Sequence, residues 1–393
     1  MRVALLTDGI YPFVLGGMQK YSFYLAKYLS RRSIDVDVYH FYEFGSGTYR
    51  ILEDEFYKEI NIGRVRLKWI DYPHRNAYPG HYLVERYRYS RNVFKALRNE
   101  GDYDFIYVQG FAGWYTLINK KQFKPEIGIN FHGYEMFQKV PDLPTWLRMQ
   151  MLKWPVIQNV KRADVVYSFG GIISEILQDK MGIDSKKIKQ LPNGIEKDWV
   201  SKSIKPREKT LKFIFIGRYE RRKGIEEFTQ IIKKLTVSPK IEFHFIGPIP
   251  GKKQLKRYDV IYHGLIRDQK DIRKILKSCD VLICPSYAEG MPTVILEAMA
   301  SGLAILATDV GAVNQLVSKT NGWLIEGTIP NGLSQHILQI ENMDNRVLDA
   351  KKEESIKKVE NGFLWDDIVD QLIESINKNS KYQASLVSNY KAK

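Results

Sequence analysis

Cysteine is nearly missing from this 393-residue chain: Cys279 and Cys284 are too few for a disulfide framework or a tetrahedral cysteine zinc site. They read as small buried hydrophobes in a reducing compartment. Long apolar runs are also missing. No stretch of 18 apolar residues occurs, as a membrane-spanning helix would need. The start, MRVALLTDGIYPF, has an apolar run too short for a signal-peptide core, so the chain is expected in the cytosol. Acidic residues are the minority charge, 45 against 60 Lys and Arg, a net charge of +15. That excess favours anionic partners, whether nucleic acid, a lipid surface or phosphorylated substrates, without choosing among them. Low-complexity segments are lacking, and 44% hydrophobic with 27% charged residues excludes a disordered, collagen-like or coiled-coil chain. One undivided core is unfavourable at this length, so at least two domains are expected.

What is present is an alternation of strand-like and helix-like segments. Arg2–Thr7 reads as a buried strand. Met18–Arg32 places Tyr21, Leu25, Tyr28 and Leu29 at helical spacing, and Asp35–Phe41 alternates like a strand. Strands follow at Phe105–Val108, Ile127–Phe131 and Val165–Ser168, the last after a helix at Lys153–Arg162. Residues 197–212 are charged, carry a Pro and lack a sustained period, and so read as a linker. The rhythm restarts with strands at Phe213–Ile216, Glu242–Ile246, Val260–Tyr262, Val281–Cys284, Ala304–Ala307 and Gly322–Ile325, interleaved with helices at Ile225–Leu235, Asp271–Ser278 and Thr293–Ala300. This pattern predicts an α/β protein of two Rossmann-like, doubly wound domains.

Ligands of open parallel sheets bind beyond the carboxyl ends of the strands, which directs attention to the loops there. Gly16-Gly17 at a helix start lets backbone N–H groups approach an anion; an ordinary tight turn is the competing reading. No full GxGxxG is present, so dinucleotide binding is not supported. His132-Gly133 closes a strand, where a histidine either serves the structure or meets a substrate. Pro192-Asn193-Gly194 is a turn at an interdomain corner. In the second half, Gly217-Arg218 ends a strand and Lys223-Gly224 opens a helix, so a guanidinium fork and a lysine can converge on one diphosphate. A solvated basic loop, with Arg221 and Arg222, is the alternative. The sharpest signal is Glu289-Gly-Met-Pro-Thr-Val-Ile-Leu-Glu297. Gly290 permits close backbone approach, Pro292 suits the first helical position, and the first-turn N–H groups can receive phosphate. Two carboxylates bracketing such a helix start suit a ligand with a sugar on either side of its phosphates.

With Gly16-Gly17, His132-Gly133, Pro192-Asn193-Gly194-Ile195, Gly217-Arg218, Lys223-Gly224, His263-Gly264, Glu289 and Glu297 in this order, the chain resembles glycosyltransferase family 4, with the two-domain GT-B fold. The resemblance implies an acceptor-binding domain at 1–198 and a nucleotide-sugar-binding domain at 199–362. A last helix at about 363–380, after Phe363-Leu-Trp365, would cross back to the first domain. It implies retaining, metal-independent transfer of a sugar from a UDP-, GDP- or ADP-linked donor to a glycan or lipid-linked acceptor, with bacterial surface polysaccharide as the setting. Arg218 and Lys223 would neutralise the diphosphate, with Gly17 capping it and Gly16 beside it. Glu297 would bind the ribose, the segment around Gly264 the base, and Glu289 a donor-sugar hydroxyl. His132 would face the reacting centre. Asn193, Gly217, Gly290, Met291 and Thr293 complete the donor set. No metal or other cofactor is implied: Asp35-Val-Asp37 has the metal-binding pattern but lies in a strand and is expected to alternate outward.

Rival readings are a GT-B nucleotide-sugar epimerase, a non-catalytic nucleotide-sugar-binding subunit and a nucleic-acid binder; no RNA- or DNA-binding signature supports the last. A membrane surface is the remaining expected partner. Residues 82–98 carry an apolar stripe, Leu83, Tyr87, Phe94 and Leu97, and a basic stripe, Arg88, Arg91, Lys95 and Arg98. Nearby, Trp146, Leu147, Met149, Met151, Leu152 and Trp154 surround Arg148 and Lys153. Together these predict peripheral, salt-sensitive adhesion to the inner face of an anionic cytoplasmic membrane. A solvated helix face plus a core segment is the plain alternative.

Overall fold

A computed structural model describes residues 1–41, 49–60, 63–73, 80–206, 208–235 and 240–391. Its strands form two all-parallel sheets. The first contains β1 (Arg2–Leu6), β2 (Asp35–Phe41), β3 (Val65–Ile70), β4 (Phe105–Gln109), β5 (Glu126–Asn130), β6 (Val165–Ser168) and β7 (Ile188–Gln190), in the order β3-β2-β1-β4-β5-β6-β7. The second contains β8 (Leu211–Ile216), β9 (Ile241–Ile246), β10 (Val260–Gly264), β11 (Val281–Cys284), β12 (Ala304–Thr308) and β13 (Gly322–Ile325), in the order β10-β9-β8-β11-β12-β13. Each is a doubly wound Rossmann-like sheet, and each reverses its strand order once, between β1 and β4 and between β8 and β11. Crevices open at such reversals. The inner strands are buried on both faces because helices cover both, which is why Val3–Leu6 and Val281–Cys284 read as unbroken apolar runs.

Six helices position the features discussed below: α1 (Gly17–Arg31), α2 (His81–Arg98), α3 (Trp114–Ile118), α4 (Leu143–Arg162), α5 (Thr293–Ala300) and α6 (Trp365–Lys391). Helix α1 buries Tyr21, Leu25, Tyr28 and Leu29, as their spacing requires. In α2 the buried stripe is Tyr89, Val93, Phe94 and Leu97, whereas Leu83 and Tyr87 are only half-buried. Tyr87 lies edge-on to Trp114 and Tyr115 of α3. Arg88, Arg91, Lys95 and Arg98 all face solvent. Helix α4 begins ten residues earlier than its second half suggested. Asp142 caps it by accepting from the Thr145 N–H at 2.9 Å.

Asp37 does not point outward. It is buried on β2, where Arg2 of β1 and Arg66 of β3 reach it from both sides at 2.5 Å, and the Tyr103 hydroxyl donates to it at 2.6 Å. Burial alone would raise its carboxyl pKa, but these partners hold it below the ordinary value. An inner strand flanked by two arginines can bury a carboxylate that an edge strand would expose. Asp35 stays near the surface and pairs with Arg64 at 3.1 Å. Both cysteines are buried, and burial pushes the thiols up to about 12 for Cys279 and about 11 for Cys284.

The chain passes between the sheets twice. Ile195 donates to the Phe363 carbonyl at 2.8 Å, and Trp365 donates back to Ile195 at 3.1 Å. Trp365 then buries its ring among Tyr21, Tyr24 and Tyr28 of α1. Arg32 holds Asp366 at 2.9 Å and Asp370 at 2.7 Å, which lays α6 along α1.

Candidate active site

The loops after β8 and β11 meet at the second sheet's reversal. Gly224 has φ +67°, and a Cβ there would overlap the Pro285 carbonyl, so only glycine lets the loops close up. The Tyr287 N–H donates to the Arg222 carbonyl at 2.8 Å, zipping them together. Lys223 therefore reaches Glu289, Nζ to Oε1, at 2.6 Å, and the Ser286 hydroxyl donates to the same oxygen at 2.7 Å. Arg222 donates to the Ala288 carbonyl at 2.9 Å and lies 3.4 Å from Glu289 Oε2. Burial works to raise the Glu289 pKa, but Lys223 and then Arg222 overcome it, so the carboxyl is held below its ordinary range. An ionised carboxylate is thus fixed beside two cations. Lys223 carries three N–H donors, of which one goes to Glu289.

Arg218 stands apart from this cluster. Its side chain is 72% exposed and pairs with Glu220 at 2.9 Å. Gly217 ends β8 and donates to Ile246 at 2.9 Å, while Gly264 ends β10 with φ +71° and open space where a Cβ would stand. Pro292 is the N-cap residue of α5 rather than its first helical residue; Thr293 takes that place.

The facing half comes from the ends of β4 and β5. His132 follows β5 with φ +63°, a left-handed conformation that costs a non-glycine residue about 1–3 kcal/mol. Its N–H donates to Asn130 Oδ1 at 2.7 Å, and its Nε2 lies 3.0 Å from Gln109 Oε1. The ring stands edge-on to Tyr21 and Phe169. Burial pushes its pKa down to about 3, so the imidazole is neutral near pH 7 and can hydrogen-bond without adding charge.

The two halves touch. A Cβ on Gly290 would overlap the His132 carbonyl, so the glycine is what allows this approach. The Gln138 carboxamide engages the Glu289 backbone twice: its Nε2 donates to the carbonyl at 2.7 Å, and its Oε1 accepts from the N–H at 3.3 Å. The Asn193 N–H points at Met291 Sδ, 3.1 Å away. Lys20 of α1 approaches Glu297 of α5 at 3.7 Å. Burial raises the Glu297 pKa and Lys20 partly opposes it. Beside this pair, a small cavity of about 20 Å³ is lined by Lys20, Tyr24, Gln269, Thr293 and Glu297, among others. Gly16 and Gly17 lie exposed at the start of α1.

The structure thus groups His132, Lys223, Glu289 and Gly290 at one point, sets Asn193, Met291, Thr293 and Glu297 beside them, and leaves Arg218 and Gly264 at the rim. Arg222, Ser286, Gln138, Gln109 and Lys20 are site residues that the sequence reading missed. Arg222 was hidden in the basic run Arg221-Arg222-Lys223. Gln138 had no motif around it.

The chain is similar to known proteins along both of its halves. The family model described as "Glycosyltransferase Family 4" matches residues 15–199, and that described as "Glycosyl transferases group 1" matches residues 210–342. A putative teichuronic acid biosynthesis glycosyltransferase of Bacillus subtilis is 36% identical over 129 residues, 33% of this chain and 32% of that one. An uncharacterized glycosyltransferase of Methanocaldococcus jannaschii is 25% identical over 83% of this chain and 87% of its own. The Escherichia coli UDP-Gal:alpha-D-GlcNAc-diphosphoundecaprenol alpha-1,3-galactosyltransferase is 28% identical over 48% of this chain and 54% of its own. The chain thus spans about a third of the first relative's length and about half of the third's. Among solved structures, sucrose-phosphate synthase from Thermosynechococcus elongatus superposes with a TM-score of 0.76 at 17% identity, over 97% of this chain and 99% of that one. Anabaena Alr3699/HepE in complex with UDP-glucose gives 0.68 at 16%, over 96% and 100%. Two Rossmann-like sheets meeting over a carboxylate, two cations and a histidine, matched by family models on both halves, place this chain in glycosyltransferase family 4, with the GT-B fold.

Proposed function

We propose that this glycosyltransferase moves a sugar from a nucleoside-diphosphate donor to a hydroxyl of a glycan or lipid-linked acceptor, with retention of anomeric configuration and without a metal ion. The observation that carries the reading is the Glu289 carboxylate held ionised by Lys223 and Arg222, with the adjoining Gly290 against the backbone of a neutral His132. Breaking the bond between the anomeric carbon and the phosphate oxygen builds negative charge on the diphosphate and positive character on the sugar ring. Lys223 and Arg222, with Arg218 at the rim, stabilise the first; Glu289 and the imidazole dipole stabilise the second. The N–H groups at the start of α5 and at Gly17 add donors for the phosphates. Glu297 accepts from ribose hydroxyls, and the loop at Gly264 receives the base, whether of UDP, GDP or ADP.

Retention requires the acceptor hydroxyl to enter on the face the diphosphate leaves. Its proton then passes to the departing phosphate oxygen, since a histidine with a pKa near 3 takes up protons poorly at neutral pH. With two cations already at the diphosphate, a divalent ion is redundant. The relatives in teichuronic acid and diphosphoundecaprenol chemistry favour bacterial surface polysaccharide as the setting. A lipid-linked acceptor would place the enzyme peripherally on the inner, anionic face of the cytoplasmic membrane, with the basic face of α2 turned toward it.

The test is a donor screen by thermal stabilisation, followed by turnover assays with EDTA and NMR of the product from the donor that binds. Undiminished activity in EDTA and an unchanged anomeric configuration are expected. Loss of activity restored by magnesium, or an inverted product, would overturn the respective part.

A further inference from the structure

Helix α4 meets the core along its length, with Met149 and Leu152 of its first half packed against it. Its buried residues, Pro155, Val156, Asn159 and Val160, all lie in the second half. From its start to Trp154, just past its middle, Leu143, Trp146, Leu147, Met151 and Trp154 are between 45% and 67% exposed. At about 100° per residue these five spread over about 140° of the helix circumference, one broad side of it. Water is a poor partner for that side, since scattered apolar residues are normal on a surface but a contiguous row marks an interaction site.

We propose that the apolar side of α4 inserts into a lipid bilayer and is the principal membrane anchor of this protein. The proposal deepens the membrane location given above: of the two elements expected at the membrane it makes α4 rather than α2 the anchor, and so predicts different behaviour. Adhesion through the basic stripe of α2 would be electrostatic and would fade in salt. Burial of the apolar side of α4 is not screened, so it persists.

The surroundings of that side favour a bilayer over a second copy of the chain. Helices α2, α3 and α4 lie side by side in one layer. The Met151 methyl lies 3.9 Å from where a Cβ on Gly80 would stand, at the start of α2, next to exposed Tyr82 and Val84. Arg88, Arg91, Lys95 and Arg98 of α2 and Arg148 of α4 are exposed on these helices. Pairing two copies would bring these like charges together, on a chain already at +15. Anionic headgroups would neutralise them while the acyl boundary takes the apolar side chains. Tryptophan suits that boundary because one part of its ring system is apolar and its N–H is wet. The placement also serves the site. Lys153 of α4 stands 5.3 Å above the Phe137 ring, and Phe137 adjoins Gln138, which holds the Glu289 backbone. An anchored α4 would therefore bring the acceptor side of the cleft close to the membrane.

Vesicle flotation of the full chain tests this, without donor or acceptor, so its outcome is independent of whether the transferase reading holds. Vesicles of phosphatidylcholine alone, and mixed equally with phosphatidylglycerol, are compared at low and high salt. The variants are Leu147→Ser/Met151→Ser/Trp154→Ser and Arg88→Gln/Arg91→Gln/Lys95→Gln/Arg98→Gln; all seven residues are exposed, and thermal melts check that both variants fold. Wild type is expected to stay on mixed vesicles at high salt, with its tryptophan fluorescence quenched by brominated acyl chains. The triple Ser variant should lose about tenfold or more in partitioning at either salt. The Gln variant should lose only the low-salt gain. The proposal is overturned if wild type fails to float, if salt alone releases it, or if the Ser variant floats equally well. A dimer that the Ser changes split, with flotation unaffected, would assign the apolar side to a second copy instead.

Discussion

Glu289→Gln and Lys223→Ala are each expected to lower glycosyl transfer by about 10²–10³-fold, the usual loss when one preorganised electrostatic partner of a transition state is removed. Glu289→Gln keeps the shape and the Ser286 contact but removes the charge proposed to face the sugar. Lys223→Ala removes the cation proposed to face the diphosphate and strips the buried carboxylate of its shortest ion pair. Burial then goes less opposed, and the Glu289 pKa should climb from its depressed value. The two residues act as one unit, so the double variant should be little worse than either single one. The depressed pKa also fixes the sign of a stability effect. The pairing contributes above the unfolded carboxyl value near 4.5 and is lost as pH falls through the folded value. Lys223→Ala should therefore weaken the acid dependence of unfolding as well as the rate. Wild-type rates in either variant, with the fold intact by circular dichroism, would remove that residue from the mechanism.

How far these residues could be read in advance depended on what held them. The inner strands were legible because burial on both faces writes a continuous apolar run, as at Val281–Cys284, where expectation and structure coincide. The edge strands were not. Val65–Ile70, which has no neighbouring strand on its outer side among the described residues, carries Arg66 and Lys68, and Ile188–Gln190 is too short to show a period. Glu289 and Lys223 stood out through glycines that the chain geometry demands beside them. Asp37 was misjudged because alternation assigns a face but not the arginines that arrive from β1 and β3. The row on α4 was legible in part: Trp146, Leu147, Met151 and Trp154 are exposed as expected, but Met149 and Leu152, expected beside them, pack on the core. Gln138 shows the limit most clearly. Its partner is the Glu289 backbone, 151 positions away, and backbone atoms carry no sequence signal.

Gly290→Ala is expected to cost on the order of 10²-fold in kcat/KM for the donor. The added Cβ would overlap the His132 carbonyl, and that carbonyl cannot retreat easily. His132 is held in its left-handed conformation by Asn130 at its N–H and Gln109 at its ring. The clash must then be relieved by moving one sheet from the other. A displacement of about 1 Å at reacting atoms is enough for a loss of that size. Gln138→Ala tests the same contact without steric push: it removes both hydrogen bonds to the Glu289 backbone and should weaken donor binding while leaving the Lys223–Glu289 pair intact. Gln138→Glu should fall between, since a carboxylate can still accept from the Glu289 N–H but cannot donate to its carbonyl. If contact between the sheets accompanies donor binding, X-ray scattering with UDP should show wild type contracting and Gly290→Ala contracting less. The passages at Ile195 and Phe363–Trp365, where the chain crosses between sheets, are the places for the hinge. Full activity in Gly290→Ala would mean that the two halves need not meet at His132 for transfer to proceed.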